Sequence, residues 1–359
     1  MRRRSFLSAP LILNGPLRRL PVAGTSLALG AGLLADARAQ NAGRPEKPRL
    51  ALAVGGKPSF YYLPLTIAEQ RGYFKEEGLD VEISDFAGGA KALQALVGGS
   101  ADVVSGAYEH TISMQAKKQY LTAFVIQGIA MEVAIGYSPK KYPNFSGIAD
   151  LKGAKVGVSA PGSSTNTAVN FLLAKAGLKP ADVSFIGVGT GSGAISALRS
   201  GQIDVIANID PVISMLERSG DIKLISDTRS PKGNADLFGG PVPAGCLYAS
   251  EDWVKKHPNT VQALTNAIVK GLRWLQTAGP SELLKSVPES YLLGDRAVYL
   301  DAYQKIRPAL SPDGLMPVNG PETVLKLQRA SDPNIAASQI DLARTYTTEF
   351  SRKAQAHGA

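Results

Sequence analysis

Short apolar blocks, each closed off by glycine or polar residues, set the rhythm of this chain. Residues 50–54, 81–84, 121–127, 155–158, 183–186 and 222–226 are rich in β-branched and aliphatic side chains and predict strands. Asp102-Val103-Val104 and Asp204-Val205-Ile206 read as two more, buried on both faces as in a parallel sheet. Gly88-Gly89-Ala90 and Gly191-Ser192-Gly193 predict tight turns that open short helices, and Gly98-Gly99 and Ser200-Gly201 predict their ends. Val261, Leu264, Ile268, Leu272 and Leu275 recur at spacings of three and four, one buried face of a helix begun at His257-Pro258-Asn259. Helices are also predicted around 297–303, 321–330 and 338–350, whereas the Pro/Gly-rich stretch 229–243 reads as loop.

The pattern is written twice. A shift of 102 positions lays Gly89 on Gly191, Ala95 on Ala197, Leu96 on Leu198, Gly99 on Gly201, Asp102 on Asp204 and Val103 on Val205. The same shift brings Val54-Gly55 onto Val156-Gly157 and Val81 onto Val183, so the repeat is domain-sized. Each copy reads β-α-β-α-β, giving an α/β protein of two Rossmann-like lobes. Ligands of such sheets bind beyond the carboxyl ends of the strands, so two facing copies make one cleft. We expect lobe 1 to own residues 49–137 and 244–359, and lobe 2 residues 138–243. The chain would leave the first lobe at the break Pro139-Lys140-Lys141-Tyr142-Pro143, after strand-like 132–138, and return along the apolar stretch 244–249. A discontinuous first domain of this kind closes by hinge motion around a ligand.

The ends of the chain change the charge argument. Met1-Arg2-Arg3-Arg4-Ser5-Phe6-Leu7, the apolar run 22–34 and Ala37-Arg38-Ala39 before Gln40 have the order of an export signal over 1–39, with a twin-arginine-like head. Residues 40–48 then form a loose polar linker. Removing 1–39 takes away six arginines and one aspartate, so a net charge of +9 becomes +4, too mild for a nucleic-acid surface. No apolar run approaches the ~20 residues of a membrane span. The single cysteine, Cys246, permits no internal disulfide, and no cysteine follows the signal, so a lipid anchor is not expected. These features predict a soluble, periplasmic monomer. The histidines 110, 257 and 357 are too scattered for a recognised metal spacing, there is no Gly-x-Ser-x-Gly elbow, and no phosphate-binding GxxxxGK[ST]. We therefore expect no enzyme, no cofactor and no metal.

Gly72-Tyr73-Phe74-Lys75-Glu76-Glu77-Gly78-Leu79-Asp80-Val81, then Ala92-Leu93-x-Ala95-Leu96-x-x-Gly99-x-Ala101-Asp102-Val103, then Asp150-Leu151-Lys152-Gly153-x-x-Val156-Gly157-Val158 occur in this order. Together they resemble the nitrate/sulfonate/taurine and thiamine-pyrimidine family of ABC-transporter substrate-binding proteins, over about residues 49–350. The resemblance implies the periplasmic binding protein fold, type II. It also implies a small-molecule ligand, here an organic anion or zwitterion of the sulfonate, taurine or nitrate type, and delivery to a permease with its ATPase subunit. A thiamine-pyrimidine precursor or another aromatic nutrient is the alternative ligand. Relatives of this fold that synthesise the thiamine pyrimidine use a cysteine-rich iron site, which one cysteine does not match. A receptor feeding a sensor is a third reading.

The residues expected at the ligand lie at strand exits. Ser163, Ser164 and Thr165 open a helix whose free N–H groups suit an anion, and plain N-capping accounts for the same serines. Lys57 offers a cation, and Tyr61, Tyr62 and Tyr108 offer aromatic walls or core packing. Gly89, Ala90 and Gly191 are turns facing the cleft. Asn208 and Asp210 exit the matching strand of the second copy. Asp210 either caps a helix ahead of Pro211 or accepts a ligand amine.

Overall fold

The sheets of this computed structural model, which describes residues 43–357, repeat the duplication seen in the sequence. The first sheet holds β1 (Arg49–Gly55), β2 (Asp80–Phe86), β3 (Val103–Ala107), β4 (Leu121–Ile126) and β10 (Gly245–Ser250), in the order β2-β1-β3-β10-β4. The second holds β5 (Val133–Tyr137), β6 (Lys155–Val158), β7 (Ser184–Gly187), β8 (Val205–Ile209) and β9 (Lys223–Asp227), in the order β7-β6-β8-β5-β9. β3 and β8 stand 102 residues apart, and both are buried along their whole length. In each copy an aspartate does the same work. Asp102 accepts the Ala51 amide at 3.0 Å and Asp204 accepts the Lys155 amide at 3.0 Å, tying the entry of the third strand to the first.

The fourth strand of each sheet runs antiparallel and is the one that arrives from the other half: β10 between β3 and β4, β5 between β8 and β9. The expected exit after 137 is therefore too late. Val133 to Tyr137 already belong to the second sheet, and the chain crosses at 127–132. The break at 139–143 is a turn within the second half. The chain rejoins the first sheet at β10.

Helices cover both faces. They are α1 (Leu63–Gln70), α2 (Tyr73–Glu76), α3 (Gly89–Val97), α4 (Glu109–Ala116), α5 (Ser164–Lys175), α6 (Ser192–Arg199), α7 (Val212–Arg218) and α8 (Pro231–Phe238). After β10 come α9 (Glu251–Lys256), α10 (Pro258–Thr277), α11 (Pro280–Lys285), α12 (Arg296–Ile306), α13 (Gly320–Ser331), α14 (Pro333–Ala336) and α15 (Glu349–His357). All five apolar residues of the α10 stripe are buried, and α10 lies across α1 and α15. Its first turn is capped by Glu46, whose carboxylate accepts the Asn259 and Thr260 amides at 3.0 and 2.9 Å. Lys47 pairs with Asp102 at 2.6 Å, so the described part of the expected loose linker is docked. The rest of that linker and the expected export signal lie outside the described residues.

Two other expectations give way. Residues 231–238 form a helix because Ser230 caps it, Pro231 takes the first position and Gly239 adopts the left-handed end. Residues 338–350 are largely not helical: Tyr346 runs beside β4, the Ala123 amide donating to the Thr345 carbonyl at 2.9 Å. The C-terminal helices also divide their contacts. α10 and α15 lie on the first sheet's side, α12 reaches α7, and α13 rests on α5 of the second half and α4 of the first. No helix among the described residues is long and apolar enough to cross a membrane.

Candidate functional site

Both sheets aim the carboxyl ends of their parallel strands at one seam. From the first half come the loops after β1, β2 and β3; from the second, those after β6, β7 and β8. The two halves touch closely. A Cβ on Gly88 would fall 2.9 Å from that of Ala160, the Ala90 amide donates to Ser163 Oγ at 3.0 Å, and the Phe60 amide donates to the Asp210 carbonyl at 2.9 Å. Thr167 Oγ1 donates to Glu109 Oε1 at 3.0 Å. Gly56 has φ +97° and would place a Cβ 2.1 Å from Thr190 Oγ1, so only glycine permits this approach. Gly56→Val is expected to hold the halves apart, enlarging the radius of gyration seen by small-angle X-ray scattering, with Thr190→Ala restoring part of the closure.

Outward, the seam widens into a cleft of about 870 Å³, within the range of small-molecule sites. Leu93 and Met114 of the first half, Asn166 of the second, and Gln328 and Ile335 of α13 and α14 line it, with His110 and Glu109 at its inner wall. Gln328 Nε2 donates to the Glu109 carbonyl at 3.1 Å, while its buried Oε1 has no hydrogen-bond partner. His110 Nδ1 meets Tyr248 Oη at 3.0 Å, and the buried ring lies beside Gly89 with its other nitrogen turned to the Gly162 backbone. Burial pushes the His110 pKa down to about 4, so the ring is neutral, and it pushes Glu109 up to about 7.

The inner end of the seam gathers charge. Glu132, on the crossing segment, is fully buried, has φ +60°, and both its carboxylate oxygens lack a partner. Burial, with the nearby Asp210 charge, pushes its pKa up to about 8. Tyr61 Oη is also unpartnered, and Tyr61 and Tyr62 both feel Glu109 and Glu132. Arg229, 5% exposed in its side chain, bonds Asp227 at 2.6 Å, Glu217 at 2.8 Å and buried Asp210 at 3.2 Å. Burial alone would lower the Arg229 pKa, but these acids hold it above its ordinary value.

Of the residues expected at the ligand, the seam brings Tyr61, Tyr62, Gly89, Ala90 and Ser163 together. A Cβ on Gly89 would lie 3.5 Å from Tyr62 Oη and 3.9 Å from Ser163 Oγ. Ser163 stands at the N-cap position of α5 but makes no capping bond, its hydroxyl being turned to Ala90. Ser164 is buried beside it. The others are engaged elsewhere. Lys57 pairs with Glu69 at 2.5 Å, Tyr108 Oη meets Thr345 at 2.6 Å, and Thr165 Oγ1 accepts the Ser159 amide at 3.0 Å. Asn208 Nδ2 donates to the Gly189 carbonyl at 2.9 Å, and Gly191 stands ahead of α6 with open space around it. Asp210 accepts the Ser214 amide at 2.8 Å and pairs with Arg229, so both its oxygens are occupied within the second half.

Sequence reasoning missed Glu132, Glu109, His110, Gln328 and Arg229. A lone acid in the apolar run Ile129-Ala130-Met131-Glu132-Val133-Ala134-Ile135 was the available signal for the first. Nothing in the loop around Arg229 marks it. Among the described residues there is no group of three or more His, Cys, Asp or Glu side chains placed to hold a metal ion.

The sequence family described as NMT1/THI5 like matches residues 59–282, which include the loops after β2 and β3, the crossing segment and all of the second sheet. The chain belongs to this NMT1/THI5-like family. A Bordetella bronchiseptica RB50 protein of solved structure is 59% identical, spanning 88% of this chain and 99% of its own, with TM-score 0.87. The alkanesulfonate-binding protein SsuA from Xanthomonas axonopodis pv. citri, solved bound to MOPS, is 18% identical over 84% of this chain and 98% of its own, TM-score 0.62, a likeness of fold. The binding protein YtlA of Bacillus subtilis is 22% identical over 72% of this chain and 76% of that protein. The 4-amino-5-hydroxymethyl-2-methylpyrimidine phosphate synthase of Schizosaccharomyces pombe is 25% identical over 58% of this chain and 60% of that enzyme. The fold of this NMT1/THI5-like chain is thus that of the periplasmic binding proteins, related to the substrate-binding proteins of ABC importers.

Proposed function

We propose that this protein is the periplasmic substrate-binding component of an ABC importer, closing its two lobes on a small organic molecule and releasing it unchanged to a permease. The observation that carries this reading is the seam itself. Two copies of one fold unit meet there on strand exits, with polar atoms of Tyr61, Glu132 and Gln328 buried and unpartnered along it. Buried polar groups without partners are costly, and a bound polar molecule relieves that cost only while the lobes are shut. The structural likeness to SsuA supports transport, and the synthase relative supports the alternative of chemistry on a pyrimidine. Cys246, the single cysteine, is buried among apolar neighbours, which suits a passive core role.

The test is native mass spectrometry of protein purified without denaturation, followed by calorimetry with the released cargo. One small molecule per chain, rebinding at one site and recovered with unchanged mass, is the expected result. Recovery of a chemically altered molecule would favour the synthase reading instead.

A further inference from the structure

The charge balance of the seam says what sort of molecule it takes. Around its inner end stand three buried acids: Glu109, Glu132 and Asp210. The buried cation there, Arg229, is divided among Asp210, Asp227 and Glu217, and Lys57 is held by Glu69. Among the described residues, Lys117 is the one cation lining the outer cleft, and it is exposed at its rim. Glu109 has a hydroxyl donor in Thr167 and Asp210 has a guanidinium, but Glu132 has neither. Its carboxylate lies against the backbone of the crossing segment, where a Cβ on Gly128 would come within 2.4 Å of Oε1.

Resting on the receptor reading, we infer that Glu132 sets ligand specificity: it is the acceptor, at the inner end of the seam, for an ammonium or N–H donor of the ligand. The site therefore takes amine-bearing, amino-heterocyclic or zwitterionic molecules and rejects ligands that are anionic throughout. This narrows the class expected from sequence, which included nitrate and simple sulfonates. Burial holds the empty Glu132 carboxyl protonated at neutral pH; a ligand ammonium or N–H group favours its ionised form and supplies the missing hydrogen bonds, whereas a pure anion opposes that ionisation. Tyr61 Oη, also unpartnered, stands within electrostatic reach of Glu132 and offers a second polar contact to the same group.

The experiment compares two sets of probes by thermal shift and calorimetry on protein stripped of cargo by unfolding and refolding. One set is nitrate, ethanesulfonate and benzoate. The other is taurine, cytosine and 4-amino-5-hydroxymethyl-2-methylpyrimidine. At least one donor-bearing probe is expected to bind tenfold or more tighter than every pure anion. Glu132→Gln, and to a smaller extent Tyr61→Phe, is expected to erase most of that preference while keeping the wild-type circular dichroism. Binding confined to the pure anions, or a preference unchanged in Glu132→Gln, overturns the inference and leaves the receptor reading standing. No binding from either set counts against the receptor reading, and the inference falls with it.

Discussion

Arg229→Met is expected to lower the stability of the folded protein by about 3–5 kcal/mol, the usual cost of stripping a buried charge cluster of one sign. The guanidinium reaches Asp210, Asp227 and Glu217 at 3.2, 2.6 and 2.8 Å, and its side chain is 5% exposed. Removing it leaves the Asp210 carboxylate, fully buried, with the amide and hydroxyl of Ser214 for support and no cation. Since domains rest on roughly 5–15 kcal/mol in all, urea unfolding should show a large fall in midpoint. Asp210→Asn added to Arg229→Met should recover a good part of the loss, because the uncompensated charge goes with it. If the double variant is no more stable than the single one, Asp210 is not the source of the cost.

The second large effect is a pH dependence set by Glu132. In the unfolded chain this side chain titrates near its ordinary value of 4.5; in the folded protein burial pushes it up to about 8. Between those values the folded state holds a proton that the unfolded chain has released. Stability contributed in this way is full below pH 4.5 and is lost as pH rises towards 8. Wild type and Glu132→Gln should therefore melt at similar temperatures near pH 5. At pH 9 the variant should be more stable, by on the order of 4 kcal/mol. Glu109 adds a parallel slope up to about pH 7, and the neutral His110 ring costs stability on the acid side. Both are common to the two proteins and drop out of the difference, which calorimetric melts from pH 5 to 9 would measure. Equal curves throughout would mean that Glu132 finds a partner in solution.

The sequence makes the lobes readable because a duplicated pattern carries its own check. A strand expected from Asp102-Val103-Val104 gains weight from its twin Asp204-Val205-Ile206, and the shared aspartate marks where each begins. Tyr62, Gly89, Ala90 and Ser163 were reachable for the same reason: each sits just past a strand whose end the repeat locates. The charges were not reachable. Lys57 is spent on a glutamate twelve residues on, and Asp210 on an arginine nineteen residues on, pairings that depend on how helices stack above the sheet. The boundary at 132–138 was misplaced because an apolar strand reads alike in either sheet. Only its partners, β8 and β9, assign it to the second.

The two segments that pass between the sheets are also stitched to each other. The Ala244 amide donates to the Gly128 carbonyl at 3.0 Å, and the Gln127 amide to the Gly245 carbonyl at 2.6 Å. These two bonds tie the crossings into one spine between the halves, which lie against it like facing pages. Glu132 is bound into that spine, four residues from the stitch, where even a slight parting of the pages would let water reach its carboxylate first.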